Sequence, residues 1–250
     1  MQSTISITEP KHMNRQHILI AGASGAVGEG MTIDLLKKGH QVTAIVRNEG
    51  KRAALERAIR EENAAAAPLD CIVNAYRTEE EISALTAKII ASGRVDIAIA
   101  SLGGWYHGEA LHQVPAADWE RVLQNGLYSH FHLLKAVVPA LEGQGAGMFV
   151  MINGGAAEFA VPHSGVISVV AAAQKMMGQV VHRELQSKNI RVHGVGAFAL
   201  VRTKMRANVP DLWLGPEEIA QYILDLAAHP GGKARTYWHP LQQPTDLRIG

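Results

Sequence analysis

Short apolar runs recur along the chain, separated by longer stretches in which apolar residues return every three or four positions. Six runs are short, rich in Val and Ile and bounded by Gly, Asn or charge: His17 to Ala21, Gln41 to Val46, Asp70 to Ala75, Val95 to Ser101, Gly147 to Asn153 and Ile190 to Gly196. That is the mark of buried strands. Helical periodicity fills Gly28 to Lys38, Glu79 to Ala91, Trp119 to Leu141, Ser168 to Ser187 and Pro216 to Ala228. The alternation of strand and helix predicts a Rossmann-type doubly wound α/β fold, a parallel sheet with helices on both faces. One such domain is expected over residues 15–250, preceded by a flexible segment over 1–14. The Ala64 to Ala67 run, followed by Pro68, reads as a helix end stopped by proline.

Composition agrees with a globular chain. With 47% apolar and 19% charged residues in 250, it can bury a large core. Lys plus Arg (24) against Asp plus Glu (23) leaves a net charge of +1, so it carries no electrostatic footprint for nucleic acid or an anionic membrane. The single cysteine, Cys71, excludes an intramolecular disulfide framework and reads as a packed thiol suited to a reducing compartment. No apolar stretch reaches membrane-spanning length, and a cytoplasmic location is expected.

Chemistry enters where the first strand runs into Ala21-Gly22-Ala23-Ser24-Gly25-Ala26-Val27-Gly28. Glycines at 22, 25 and 28 permit a tight turn and close backbone approach, and the adjoining helix offers free N–H donors to a pyrophosphate. The expected dinucleotide contacts here are Gly22, Ser24, Gly25, Ala26, Val27 and Gly28. The second strand ends at Val46-Arg47-Asn48. An acidic residue at that point binds the ribose 2′-hydroxyl of NAD, whereas Arg accommodates a 2′-phosphate, so Arg47 predicts NADP over NAD.

From these residues the chain resembles the short-chain dehydrogenase/reductase family, from about Arg15 to about Trp238. Its glycine loop is similar to Thr-Gly-x-x-x-Gly-x-Gly with Ala21 and Ala26 replacing Thr and the middle Gly, or to the Gly-x-x-Gly-x-x-Gly of atypical branches. Ala100-Ser101-Leu102-Gly103 resembles Asn-Asn-Ala-Gly, and Trp119 stands where the family's fourth large helix opens. Ile190-Arg191-Val192 with Thr203 resembles the stretch leading to the nicotinamide-contacting Thr, and Pro216-Glu217-Glu218-Ile219-Ala220 its last helix. The resemblance adds Ser101, Gly103 and Thr203 to the expected cofactor contacts. It also implies a homodimer or homotetramer through the Trp119 to Leu141 and Ser168 to Ser187 helices, and a substrate lid over Phe198 to Leu214 including Trp213.

The family reduces carbonyls with a Tyr acid, a Lys one helical turn later, a Ser and an Asn. Counting from the fifth strand and back from Glu184 puts Gly154 at Ser, Ile167 at Tyr and Ala171 at Lys. A rival alignment makes Lys175 the Lys and again finds no tyrosine. The relay Asn falls on Gly126, with Asn125 one residue early and therefore expected to point elsewhere. All four positions read as vacant, and no catalytic residue is assigned. Tyr106, His107, Glu158 and His163, in loops at the carboxyl edge of the sheet, are the candidate replacements. His130 and His132 read as packed or interface residues, and no histidine pair with a third ligand supports a metal site. Two functions remain open. One is an NADP(H)-binding, oxidoreductase-like or non-redox enzyme with an atypical site for a small apolar substrate; the other is an inactive dinucleotide sensor or scaffold.

Overall fold

The computed structural model describes residues 15–62, 69–204, 213–231 and 235–242. The strands are β1 (His17–Ala21), β2 (Gln41–Val46), β3 (Leu69–Val73), β4 (Ile97–Ala100), β5 (Gly147–Gly154), β6 (Ile190–Ala197) and β7 (Trp238–Leu241). They form one sheet in the order β3-β2-β1-β4-β5-β6-β7, every neighbouring pair parallel. Six strands fall where the sequence puts them. β7 was not anticipated: its four residues, Trp-His-Pro-Leu, hold a proline that argues against a strand, which an edge position tolerates.

Helices α1 (Ala26–Lys37), α2 (Glu49–Glu61) and α7 (Pro216–Ala228) cover one face; α3 (Glu79–Ala91), α5 (Ser129–Gln144) and α6 (Gly165–Glu184) cover the other. Alternation along β1 assigns the faces: Ile18 and Ile20 enter the first core, Leu19 and Ala21 the second. Helix α2 was not among the helices named from periodicity, because it buries only Leu55, Ala58 and Ile59 and is otherwise charged. Its start is marked by Asn48, whose side chain accepts from Lys51 N. The Ala64 to Ala67 run and the 1–14 segment lie outside the described residues, as do 205–212 of the lid.

The expected single helix from Trp119 to Leu141 is corrected. Helix α4 (Ala116–Leu123) passes into one turn of π-helix over Gln124–Tyr128 and then into α5. An extra residue per turn rotates every side chain beyond it, a change apolar periodicity does not reveal. Among the described residues no helix is long and apolar enough to cross a membrane.

Buried histidines add a pH-dependent element. His130, on α5, is fully buried and donates from Nδ1 to Gly126 O at 2.7 Å. Burial pushes its pKa down to about 4. On β6, His193 is pushed down to about 3, first by burial and then by the neighbouring His239. Both are neutral in the folded protein and take up a proton near pH 6.5 once unfolded, so their contribution is present above that pH and is lost as pH falls through the folded values. Between pH 7.5 and 5 the unfolding free energy, read by urea titration, should fall by roughly 2 kcal/mol for each of the two. A stability flat across that range would overturn the assignment of neutral imidazoles.

Candidate functional site

The carboxyl ends of β1, β4, β5 and β6 open into a cavity of about 680 Å³, within the range of cofactor and ligand sites. Its floor is set by a backbone contact that only glycine allows. Gly22 has φ +80°, and a Cβ there would lie 2.0 Å from Ser101 O. A Cβ on Gly28 would lie 2.2 Å from Gly22 O, so the loop can close tightly on the start of α1. Helix α1 begins at Ala26, two residues before the expected start, with Gly25 as a cap that has no side chain. Its first N–H groups are therefore left to whatever fills the cavity.

Gly25, Ala26, Val27, Arg47, Ser101 and Gly103 line this cavity. Gly22 and Ser24 line a smaller chamber of about 90 Å³ beside it, together with Arg47 and Lys51. Gly28 is buried behind the loop. Thr203 is not among the cavity-lining residues. Lys51, a second cation at the Arg47 end, was missed because it sits in a charge-rich surface helix.

Asn125 was expected to point away and does not. It lines the cavity, and its Oδ1 accepts from Arg47 Nη1 at 3.1 Å. The π-helical turn rotates it, so that Asn125 and Gly126 both face inward. Two further polar residues went unnoticed in the sequence. Asn153, at the end of β5, donates from Nδ2 to Ala171 O at 2.9 Å and accepts from Gly154 N at 2.8 Å, pinning α6 to the sheet. Gln174 is buried and lines the cavity.

Helix α6 presents Ile167, Val170, Ala171 and Gln174 to the cavity at spacings of three and four, one face of the helix. Gly154 lies across from them. Among the described lining residues there is no tyrosine and no lysine. Lys175 faces another way: its Nζ pairs with Glu158 at 2.5 Å and sits 4.7 Å from the Trp238 ring centroid.

None of the four replacement candidates lines the cavity. Glu158 is held by Lys175. Tyr106 turns under the loop, buried against Val122, Val166 and Val170, with the Arg121 guanidinium 5.9 Å from its ring centroid. His107 contacts the buried Ser164 hydroxyl at 3.4 Å, and His163 contacts Gly108 O at 3.1 Å. These side chains hold the loop instead. The neighbours that do reach the cavity are Gly103, Gly104 and Trp105 from that loop and Phe159 and Phe198 opposite, the last two meeting edge to face with centroids 5.6 Å apart.

The family model for short chain dehydrogenases matches residues 16–212. The chain belongs to this family. This short-chain dehydrogenase family member is 28% identical over 225 residues to a 7alpha-hydroxysteroid dehydrogenase of Escherichia coli K12, covering 84% of this chain and 86% of the relative. An uncharacterized oxidoreductase of Staphylococcus saprophyticus is 22% identical over 237 residues, covering 92% and 93%. Among solved structures, a short-chain type dehydrogenase/reductase from Mycobacterium ulcerans superposes with a TM-score of 0.77 at 21% identity, over 93% of this chain and 90% of that one. A metagenomic short-chain oxidoreductase in complex with NADP gives 0.74 at 21% identity, over 92% and 98%.

The glycine at 22 is the most sensitive point of the site. Gly22→Ala should cost roughly 1–3 kcal/mol for the left-handed backbone alone, besides displacing Ser101. The check is a urea unfolding curve; a change below about 0.5 kcal/mol would show that the loop relaxes freely.

Proposed function

We propose that the protein binds NADP(H) along the Gly22 to Gly28 loop and acts on, or holds, an apolar small molecule at the α6 end of the same cavity. The observation that carries this reading is the cavity's polarity gradient. One end has helix N–H groups, Ser24, Arg47 and Lys51; the other has Gly154, Ile167, Val170, Ala171 and Phe159, with Arg121, Asn153 and Gln174 as the polar residues among them. The residues present suit a dinucleotide: a glycine cradle with no side chains in the way, unspent N–H donors for a pyrophosphate, and cations for a 2′-phosphate. The bound nicotinamide supplies a hydride. Gly22, Ser24, Gly25, Ala26, Val27 and Gly28 form the phosphate side, Arg47 selects the 2′-phosphate, and Ser101 and Gly103 flank the remainder. NADP(H)-bound neighbours, among them the metagenomic oxidoreductase and an actinorhodin polyketide ketoreductase with NADPH, support this choice of cofactor.

At the substrate end, Ile167 and Ala171 stand where the family's acid and its supporting ammonium are expected, and neither can move a proton. That observation favours a second reading alongside an atypical enzyme, namely a dinucleotide-responsive sensor or scaffold without turnover. A homodimer or homotetramer is part of the proposal. Phe131 on α5 and Val169, Met176 and Val180 on α6 are large apolar side chains left exposed, and those from α6 form one stripe. The proposed location is cytoplasmic.

NADPH should bind more tightly than NADH by roughly ten- to a hundredfold, and Arg47→Asp should erase the difference, since charge-assisted hydrogen bonds carry that much. Calorimetry checks both; equal affinity for the two nucleotides would remove Arg47 from its role. Installing Gly154→Ser, Ile167→Tyr and Ala171→Lys together should raise NADPH-dependent ketone reduction by roughly 10²-fold or more, the usual worth of general acid catalysis. A Cβ on Gly154 meets only Ala197 O at 3.8 Å, so the serine fits. No gain in a folded variant would mean that the acid comes from elsewhere.

A further inference from the structure

Gln174 has a hydrogen-bond capacity that the described residues do not use. It is 6% exposed and lies on the cavity face of α6, one turn beyond Ala171. The amide end nearest His130 lies 3.2 Å from Nδ1. That same Nδ1 is 2.7 Å from Gly126 O, and His130 Nε2 is sealed from water with no partner among the described residues.

These contacts decide the proton and the amide together. A neutral imidazole carries one N–H. On Nε2 the hydrogen would be a buried donor without an acceptor, while the bare Nδ1 lone pair would face the Gly126 carbonyl lone pairs at 2.7 Å. The proton therefore sits on Nδ1 and is donated to Gly126 O. An amide N–H₂ facing this N–H would set donor against donor. The amide oxygen belongs there, accepting a second, longer branch of the same bond, since oxygen and nitrogen of an amide have nearly the same shape and are told apart by their partners. The N–H₂ end then faces the cavity. Among the described residues, Gln174 has no further hydrogen-bond partner. Asn153 differs in being committed at both ends of its amide, one N–H to Ala171 O and the oxygen to Gly154 N, which fixes it to the backbone at the end of β5.

We propose that Gln174 is the polar anchor of the apolar end of the cavity, donating an amide hydrogen bond to the ketone oxygen of an otherwise apolar ligand. The proposal rests on the reading of that end as a ligand pocket. A donor set among Ile167, Val170 and Ala171 selects a ligand that brings one acceptor and otherwise hydrocarbon. It also meets the need left by the α6 face, a group able to polarise a carbonyl without giving up a proton.

The test compares 2-tetralone with tetralin, its counterpart lacking the oxygen, by ligand-observed NMR titration of the full chain with and without NADP⁺. In Gln174→Met the ratio of the tetralone Kd to the tetralin Kd should rise roughly three- to tenfold, the worth of one hydrogen bond. An unchanged ratio overturns the anchor and leaves the pocket reading intact. If neither compound binds the wild-type protein, the pocket reading and the anchor fall together, while NADP⁺ binding is read separately in the same series. Should Gln174→Met fail to fold, the assigned side-chain amide resonance of Gln174 in the wild-type protein decides the matter. It should shift with 2-tetralone and not with tetralin; tetralone binding without that shift overturns the proposal.

Discussion

The contact between the backbones of Gly22 and Ser101 is the constraint on which the carboxyl edge of the sheet depends. β1 and β4 are neighbours whose outgoing segments leave on opposite faces, so a crevice opens between them. How deep it is depends on how closely the two turns approach. Gly22, at a left-handed φ and with Ser101 O where a Cβ would sit, brings them into contact. Gly28 then seats the start of α1 on the loop, and the unspent N–H groups of that helix face the cavity. A side chain at either position would push the helix away and dissolve the cradle.

A second dependence runs through α6. Asn153 ties this helix to the end of β5 by its Ala171 carbonyl, and the face so oriented carries Ile167, Val170, Ala171 and Gln174. The helix puts its charge elsewhere: Lys175 is neutralised by Glu158 and laid over Trp238. The wall is left apolar with one buried amide in it. Opposite that amide, the π-helical turn at Gln124–Tyr128 brings both Asn125 and Gly126 inward and leaves Gly126 O to hold the His130 proton. Family membership and an apolar wall thus coexist in one site, because the fold is carried by glycines, backbone and core packing, whereas the lining of the wall is set by a few side chains that can change independently.

The alternating pattern of buried strands and amphipathic helices was legible in the residues, since a parallel sheet covered on both faces needs continuous apolar strands. So was the glycine loop, whose tight turn comes from backbone freedom at a given point of the β-α unit. β7 was hidden by its proline and its shortness, and α2 by its charge. The direction of Asn125 was misread because a count along an ideal helix cannot include a π-helical turn. Tyr106, His107, Glu158 and His163 were reasonable from their place after β4 and β5, yet loop residues have no periodicity from which to read a direction.

The sequence by itself therefore determined the fold and the tight glycine loop after β1, because each is set by local patterning or by spacing within a single element. Only the tertiary structure decided which polar groups face the cavity. Gln174 sits next to His130, 44 positions away in the chain, and Asn125 reaches Arg47 across 78. The first pairing arises where the π-helical turn leading into α5 packs against α6, and the second where Arg47, just after β2, reaches that turn. Hydrogen bonds between such distant positions leave no local pattern.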